Sequence, residues 1–272
     1  MRLLAGHEEA KILAGGQSLM PMLNLRLARP ELLIDINQAD QRPPSRTGDL
    51  LRLPALTRHR VLLEHDLVRQ HCPLLAEAIR HVGNVRVRNR GTIGGSLAHA
   101  DPTSEIGCCA LATQAQVVAR GPDGERTVPV SELFAGYWST TLAESEIITD
   151  VLIPVARPRQ GGSFLEMVRR TSDFAIVAVA AVVELGERPG EIAAARVALA
   201  GVAERVMLAD PGPIASTADQ DQDLDAAAAR IAETLEPASD VHASAAYRRR
   251  LARVLIARAL RQAAARATGD AR

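Results

Sequence analysis

Between Asn89 and Glu105 the chain packs three glycines into a run of small polar residues, Asn89-Arg90-Gly91-Thr92-Ile93-Gly94-Gly95-Ser96-Leu97-Ala98-His99-Ala100-Asp101-Pro102-Thr103-Ser104-Glu105. Such a segment costs backbone entropy and buries little by itself, so it reads as a loop that serves a ligand. A second glycine turn, Gly15-Gly16-Gln17-Ser18, lies 75 residues upstream, counted from Gly16 to Gly91. Each offers backbone N–H groups and a hydroxyl (Ser18, Thr92, Ser96) where an anion can sit, and glycine lets backbone approach a phosphate oxygen without a Cβ clash. A following helix adds a favourable dipole of about 0.3–1 kcal/mol per charge. Either segment alone is equally an ordinary tight turn; together they suit the diphosphate of a dinucleotide. Two common nucleotide folds are excluded, because the second segment reads GxxGG rather than GxGxxG and no GxxxxGK(S/T) loop occurs.

Around these segments the pattern predicts an α+β chain. Lys11 to Ala14 reads as a short strand after the tail of a helix, and a helix begins within Leu19 to Arg26, with Pro21 tolerated in its first turn. Leu32 to Ile36 and Leu50 to Leu56 read as strands flanking a polar loop, Gln38 to Gly48. Arg58 to Arg69 is helical in character, and Pro73 starts an amphipathic helix that Gly83 ends. A helix is expected over Ile106 to Thr113, then strands at Ala115 to Ala119, Thr127 to Val130 and Glu146 to Ile153, the first two around a Gly121-Pro122-Asp123-Gly124 turn. Val155 to Gly162 is the expected linker. Beyond it Ser163 to Arg169, Ala175 to Leu185 and Ile192 to Gly201 read as an antiparallel sheet, although the middle segment is alanine-rich enough for a helix. Asp210 to Asp225 reads as a loop, and Leu224 to Leu235 and Ser244 to Ala267 as helices.

Composition narrows the function classes. At 272 residues the chain suits two modest domains. Basic and acidic residues both number 32, so no global field draws in a polyanion, and aromatics are only 2%, too few for a base-stacking platform. The longest apolar run, Ala175 to Val183, is too short to span a bilayer. Cys72, Cys108 and Cys109 make no CxxC pair, which argues against a zinc or iron–sulfur centre held by this chain and fits a reducing compartment, the cytoplasm. Cys108 and Cys109 read as helix core. His59, His65 and His71 recur every six residues, share no helical face, and read as surface residues. His99, Ser96 and Asp101 are too close in sequence to assemble a hydrolase triad, and no GxSxG elbow exists, so no catalytic set is expected. The arginines of the last helix (Arg248, Arg249, Arg250, Arg253, Arg258, Arg261, Arg266) read as a solvated or partner-facing surface.

The segment Ala14-Gly15-Gly16-Gln17-Ser18-Leu19 with Pro21, and Arg88 to Pro102 with Glu105 three positions on, closely resemble the FAD-binding medium subunit of the molybdenum hydroxylases, the family of carbon monoxide and xanthine dehydrogenases. The resemblance extends through Cys72-Pro73-Leu74-Leu75, Glu146-Ile147-Ile148, Ile153-Pro154, Ser172-Asp173-Phe174-Ala175 and Tyr247 to Leu260, and so covers nearly the whole chain. It implies a two-subdomain α/β FAD-binding domain of the vanillyl-alcohol-oxidase/PCMH type over 1–157, divided at about residue 37 into 1–37 and 38–157. A C-terminal α+β domain over 158–272, an antiparallel sheet with helices, would follow. It further implies that Leu13, Ala14, Gly15, Gly16, Gln17, Ser18 and Leu19, with Gly91, Thr92, Gly94, Gly95 and Ser96, wrap the diphosphate and ribityl of FAD. Glu105 or Asp101 would hold the adenosine ribose, Ile148 would lie near the adenine, Val87 would line the flavin side, and Phe174, a tyrosine in some relatives, would approach the isoalloxazine. Members of the family typically begin with a further strand and helix, so residue 1 is expected to fall inside that helix, leaving the first subdomain without an edge strand.

The implied role is electron exit from a heteromeric molybdenum hydroxylase. A large subunit would carry the molybdenum cofactor and a small one the 2Fe–2S clusters, in a dimer of heterotrimers, and this chain would pass electrons to NAD, a quinone or oxygen. Two other readings stay open: a self-contained FAD-dependent oxidoreductase of the same fold, and a flavin-free truncated assembly subunit.

Overall fold

The computed structural model describes residues 2–188, 190–214 and 220–269. A short helix α1 (Arg2–Ala5) precedes β1 (Ala10–Leu13), the first glycine turn, α2 (Leu19–Asn24) and β2 (Leu32–Asp35). β1 and β2 pair in parallel with Ile12 opposite Ile34, and α2 is the crossover that a parallel pair requires. No residue of either strand is fully buried, so this unit has little core of its own.

The next stretch builds a five-stranded sheet under a helical cover. β3 (Ser45–Thr47) and β4 (Leu50–Pro54) are followed by α3 (His59–Glu64), α4 (Asp66–His71), α5 (Pro73–His81), α6 (Val85–Arg90), α7 (Ile93–His99) and α8 (Glu105–Ala112). The hairpin β5 (Gln116–Gly121) and β6 (Gly124–Pro129), the turn α9 (Val130–Leu133), the ribbon β7 (Phe134–Gly136) with β8 (Ser139–Thr140), and β9 (Ile147–Pro154) complete it. β9 inserts at the centre, giving the order β3-β4-β9-β5-β6, with every pair antiparallel. Val151 of β9 is thereby buried between Leu53 and Val117.

The last stretch is an antiparallel meander, β10 (Gln160–Val168), β11 (Ala175–Leu185), β12 (Ile192–Ala200) and β13 (Met207–Ala209), backed by α10 (Gln220–Thr234) and α11 (Ala245–Thr268). β11 explains the ambiguity of its own sequence, because both its faces are covered. Ala178, Ala180 and Val182 point into the core shared with α5 and α8, whereas Val177, Val179, Ala181 and Val183 point into the core under α10 and α11. A strand buried on both sides reads as an unbroken apolar run rather than an alternating one. The small side chains facing α8 let that helix close on the sheet backbone, where the Cys108 thiol donates to the Ala198 carbonyl of the neighbouring β12 at 3.2 Å. Cys108 and Cys109 are indeed core of α8, and burial pushes the Cys108 thiol up.

Several expectations need correction. The segment read as an open loop, Asn89 to Glu105, is mostly helix: it takes in the end of α6 and the whole of α7, and Ile93, Gly94 and Leu97 are buried. Helix remains possible there because Thr92 caps α7, its Oγ1 accepting from the Gly95 N–H at 3.1 Å. The strands β3, β7, β8 and β13 and the turn α9 are too short to leave a periodic signature. α10 starts at Gln220, within the stretch expected to be loop, of which residues 215–219 lie outside those described. The linker is shorter than expected, because Gln160 to Gly162 already belong to β10. Its two glycines are packing devices: a Cβ on Gly161 would overlap the Ala263 carbonyl of α11 and lie 2.6 Å from the Ala267 nitrogen, and one on Gly162 would meet Leu74 of α5 at 3.2 Å. The final helix is not simply a solvated arginine surface either. Arg248 is buried and bonds the Ile176 and Gly201 carbonyls and Asp240, Arg261 pairs with Asp221 and Asp225, and Arg266 pairs with Glu77 of α5 at 2.6 Å.

Gly161→Ala is expected to lower the unfolding free energy by about 2–3 kcal/mol, because a helix backbone cannot yield as a side chain can. Gly162→Ala, which meets only Leu74 side-chain atoms, should cost less than half of that. Urea unfolding of both variants beside the parent checks the order.

Candidate cofactor site

The chain leaves β1 at Leu13, turns through Gly15 and Gly16 and enters α2. Gly16 has φ +72°, a conformation that side chains with a Cβ rarely adopt. Gly15 is buried against the second glycine segment: a Cβ there would overlap the Arg90 carbonyl and lie 2.8 Å from the Gly91 Cα. Gly94 is equally confined, since its Cβ would overlap Ala55. These two glycines are therefore required by close packing within this chain, a reason separate from the expected approach to a phosphate.

The segment after β4 holds the second loop in register. The Gly94 N–H donates to the Ala55 carbonyl at 2.9 Å, Ile93 to Thr57 at 3.2 Å, and the His59 N–H to the Gly91 carbonyl at 3.0 Å, around an antiparallel bridge between Arg58 and Thr92. Arg58 then staples the loops together, donating to the Arg90 carbonyl and, at 2.6 Å, to the Asn37 side-chain oxygen. Asn37 follows β2, and its amide reaches the Leu13 carbonyl at 3.5 Å.

The two segments spend their donors differently. Gly94, Gly95 and Ser96 use their N–H groups inside the chain, on Ala55, Thr92 Oγ1 and the Thr92 carbonyl. Among the described residues the N–H groups of Gly15, Gly16, Gln17 and Ser18 bond nothing in the chain, and Ser18 makes no side-chain cap to α2. Four successive free amides at a glycine turn are a donor set of the kind that binds anionic oxygens. The dipole expected from the following helices adds little, because α2 and α7 are only 6 and 7 residues long.

Of the other expected site residues, Val87 lies beside the second loop, its carbonyl accepting from the Gly91 N–H at 2.7 Å. Asp101 is occupied by its own turn, its Oδ1 accepting from the Thr103 N–H at 2.8 Å and hydroxyl at 2.6 Å. Glu105 opens α8; burial, with the Glu166 and Asp101 charges adding to it, pushes its carboxyl up to about 7. Ile148 is buried in β9 opposite Ala119. Phe174 lies on the exposed turn before β11 at 76% exposure, and no described contact joins it to the glycine loops.

Three features were not foreseen. Arg58 and Asn37 form the staple. Glu166 of β10 turns its side chain inward, with one oxygen 3.1 Å from His81 Nδ1 and the other unpartnered. His59, expected at the surface, is 2% exposed beneath the second loop, with Nε2 3.1 Å from Ser96 Oγ and Nδ1 unpartnered. Burial first, then the Arg88 and Arg58 charges, pushes this imidazole down to about 4, against the pull of the Thr92 carbonyl. The six-residue histidine spacing carries no trace of this, since it depends on how residues 55–59 pair with residues 91–94.

A glycine-packed pair of loops, one presenting a row of free amides, defines an α+β protein that binds a dinucleotide-type cofactor. Comparison with known proteins identifies the cofactor. Residues 1–156 match the family described as the FAD binding domain in molybdopterin dehydrogenase, and residues 162–263 the CO dehydrogenase flavoprotein C-terminal domain. The chain is 40% identical to the 6-hydroxypseudooxynicotine dehydrogenase complex subunit alpha of Paenarthrobacter nicotinovorans, over 98% of this chain and 91% of that one. It is 35% identical to the carbon monoxide dehydrogenase medium chain of Hydrogenophaga pseudoflava, over 95% of this chain and 90% of that one. The solved carbon monoxide dehydrogenase from that organism superimposes with a TM-score of 0.92 over 97% of this chain and 93% of that one. Quinoline 2-oxidoreductase from Pseudomonas putida 86 gives 0.90 at 32% identity, over 99% of this chain and 93% of that one. The chain belongs to the FAD-binding medium subunits of the molybdenum hydroxylases, and is an oxidoreductase subunit whose cofactor is FAD. Among the described residues no helix is long and apolar enough to cross a membrane.

The buried His59 and the half-buried Glu105 give opposite pH signatures in the flavin-free chain. The folded state keeps His59 neutral down to about 4 against an ordinary 6.5, so stability is lost as pH falls through that window. It keeps Glu105 protonated up to about 7 against an ordinary 4.5, so stability is lost as pH rises through that window. Each contributes a slope of at most about 1.4 kcal/mol per pH unit between pH 5 and 6.5. His59→Gln is expected to remove the acid-side loss and Glu105→Gln the alkaline-side loss, read as slopes of opposite sign from the parent in urea unfolding across pH 4.5–7.5.

Proposed function

We propose that this chain is the electron-exit subunit of a heteromeric, cytoplasmic molybdenum hydroxylase. A small partner carrying 2Fe–2S clusters delivers electrons to it, a large partner carrying the molybdenum cofactor hydroxylates the substrate, and the three chains assemble as a dimer of heterotrimers. The observation that carries this reading is the cradle of free amides at Gly15 to Ser18 locked against Gly91, within a chain of this family. In this reading residues 1–157 form the cofactor-binding domain, with subdomains meeting near residue 37, and 158–272 the second domain.

Bound FAD supplies the redox centre that exchanges electrons between the partner and an external acceptor. The chain's own residues bind and orient it. The Leu13 to Leu19 turn offers the free amides to the diphosphate, with Thr92 and Ser96 supplying hydroxyls from the opposite side. Glu105 holds the adenosine ribose, a task for which Asp101 is less free because its Oδ1 already accepts from Thr103. Ile148 and Val87 give apolar walls to the adenine and flavin ends, and the exposed Phe174 covers the isoalloxazine from the C-terminal half. No acid–base pair is required of such a subunit.

The purified chain is expected to take up one equivalent of FAD, seen as a shifted and structured flavin absorption band. Substrates of the holoenzyme should bleach that band only when both partner chains are added. Bleaching of the lone flavoprotein by an organic substrate would overturn the electron-exit role in favour of a self-contained oxidoreductase.

A further inference from the structure

His59 is a buried polar side chain beneath the second glycine loop, and its backbone is tied to that loop by the 3.0 Å bond to the Gly91 carbonyl. Nδ1 faces Gly91, where a Cβ would stand only 3.1 Å away, and it has no partner; Nε2 faces Ser96 Oγ at 3.1 Å. A neutral imidazole carries its proton on one nitrogen. Placed on Nδ1, the proton would leave a buried N–H unsatisfied, whereas placed on Nε2 it satisfies the donor and leaves only a lone pair unused. With Nε2–H donating, the Ser96 oxygen is an acceptor towards the ring and its own proton is free to point away. Ser96 directly follows Gly95, whose Cβ position is 3.9 Å from the Ala14 Cβ, so its backbone is one residue from the meeting point of the two loops.

We infer that His59 is a positioning residue for the cofactor: by donating from Nε2 it fixes the Ser96 hydroxyl as a hydrogen-bond donor to the FAD diphosphate. This rests on the reading of Ser96 as a cofactor contact. A neutral ring suits the role, because it pins the serine without adding a buried charge, and the amides of Gly15 to Ser18 supply the remaining donors from the other side.

The test measures the FAD dissociation constant of the full chain by quenching of flavin fluorescence, with an unfolding midpoint for each variant. Ser96→Ala should weaken FAD binding by about ten- to a hundredfold, the scale of one hydrogen bond to a charged group. His59→Leu should weaken it by a similar factor, and His59→Gln, whose amide nitrogen reaches the Nε2 position, should recover most of the loss. His59→Asn, too short to reach Ser96, should behave as His59→Leu and serves in its place if that variant does not fold. Combined with Ser96→Ala, the His59 change should weaken binding no further. A His59 effect that persists undiminished in the Ser96→Ala background would overturn the inference and leave a purely structural role. A parent that binds FAD while Ser96→Ala matches it would also overturn it, whereas a folded parent that takes up no FAD would overturn the underlying cofactor reading.

Discussion

The contact of the Gly15 turn with the Arg90–Gly91 backbone is the constraint on which the rest of the site depends. It joins a small parallel unit with little core of its own to a larger sheet whose loops are already in register. Because the approach is between main chains, no side-chain rearrangement can relieve a substituent there. Arg58 adds a second tie, reaching the Arg90 carbonyl and Asn37 at once, so one guanidinium joins the end of α6 to the end of β2. The amides of Gly15 to Ser18 are left free because the turn is held from behind by these contacts and does not need its own donors to keep its shape.

This division of labour alters what the glycines mean. The second segment, richer in glycine, is the scaffold: its amides are consumed by Ala55, by Thr92 Oγ1 and by the first turn of α7. In the function proposed above, the first segment is the receptor, because its amides remain free. Two motifs that look alike in sequence thus differ in how they spend their amides, and the difference lies in the hydrogen-bond acceptors beside the second, the Ala55 and Thr57 carbonyls, which have no counterpart beside the first.

Much of the fold was legible from local pattern. The β1–turn–α2–β2 unit, the Pro73 helix, the hairpin at Gly121 to Gly124 and the long C-terminal helix all carry caps, turns or periodicity that act within a few residues. The segment from Asn89 to Glu105 misled because glycine and small polar residues argue for loop, while the Thr92 cap and the burial of Ile93 and Leu97 favour helix only after Ala55 and Thr57 are in place. The same dependence hid His59 and Arg58. Their roles are set by residues more than thirty positions away, Ser96 for one and Arg90 for the other, and no period or motif in their own neighbourhood encodes that. β11 was ambiguous for a related reason: burial on both faces erases the alternation by which a strand is recognised.

That doubly covered strand also bears on how the chain reaches its native state. The face of β11 formed by Val177, Val179, Ala181 and Val183 is sealed by α10 and α11, which follow every strand of the sheet in the chain. During synthesis the meander is therefore complete while one apolar face still lacks its cover, and a nascent sheet in that condition is open to association with other chains. The cover arrives last, α10 and then the 24 residues of α11, so the interval in which a chaperone has something to shield is built into the order of the elements.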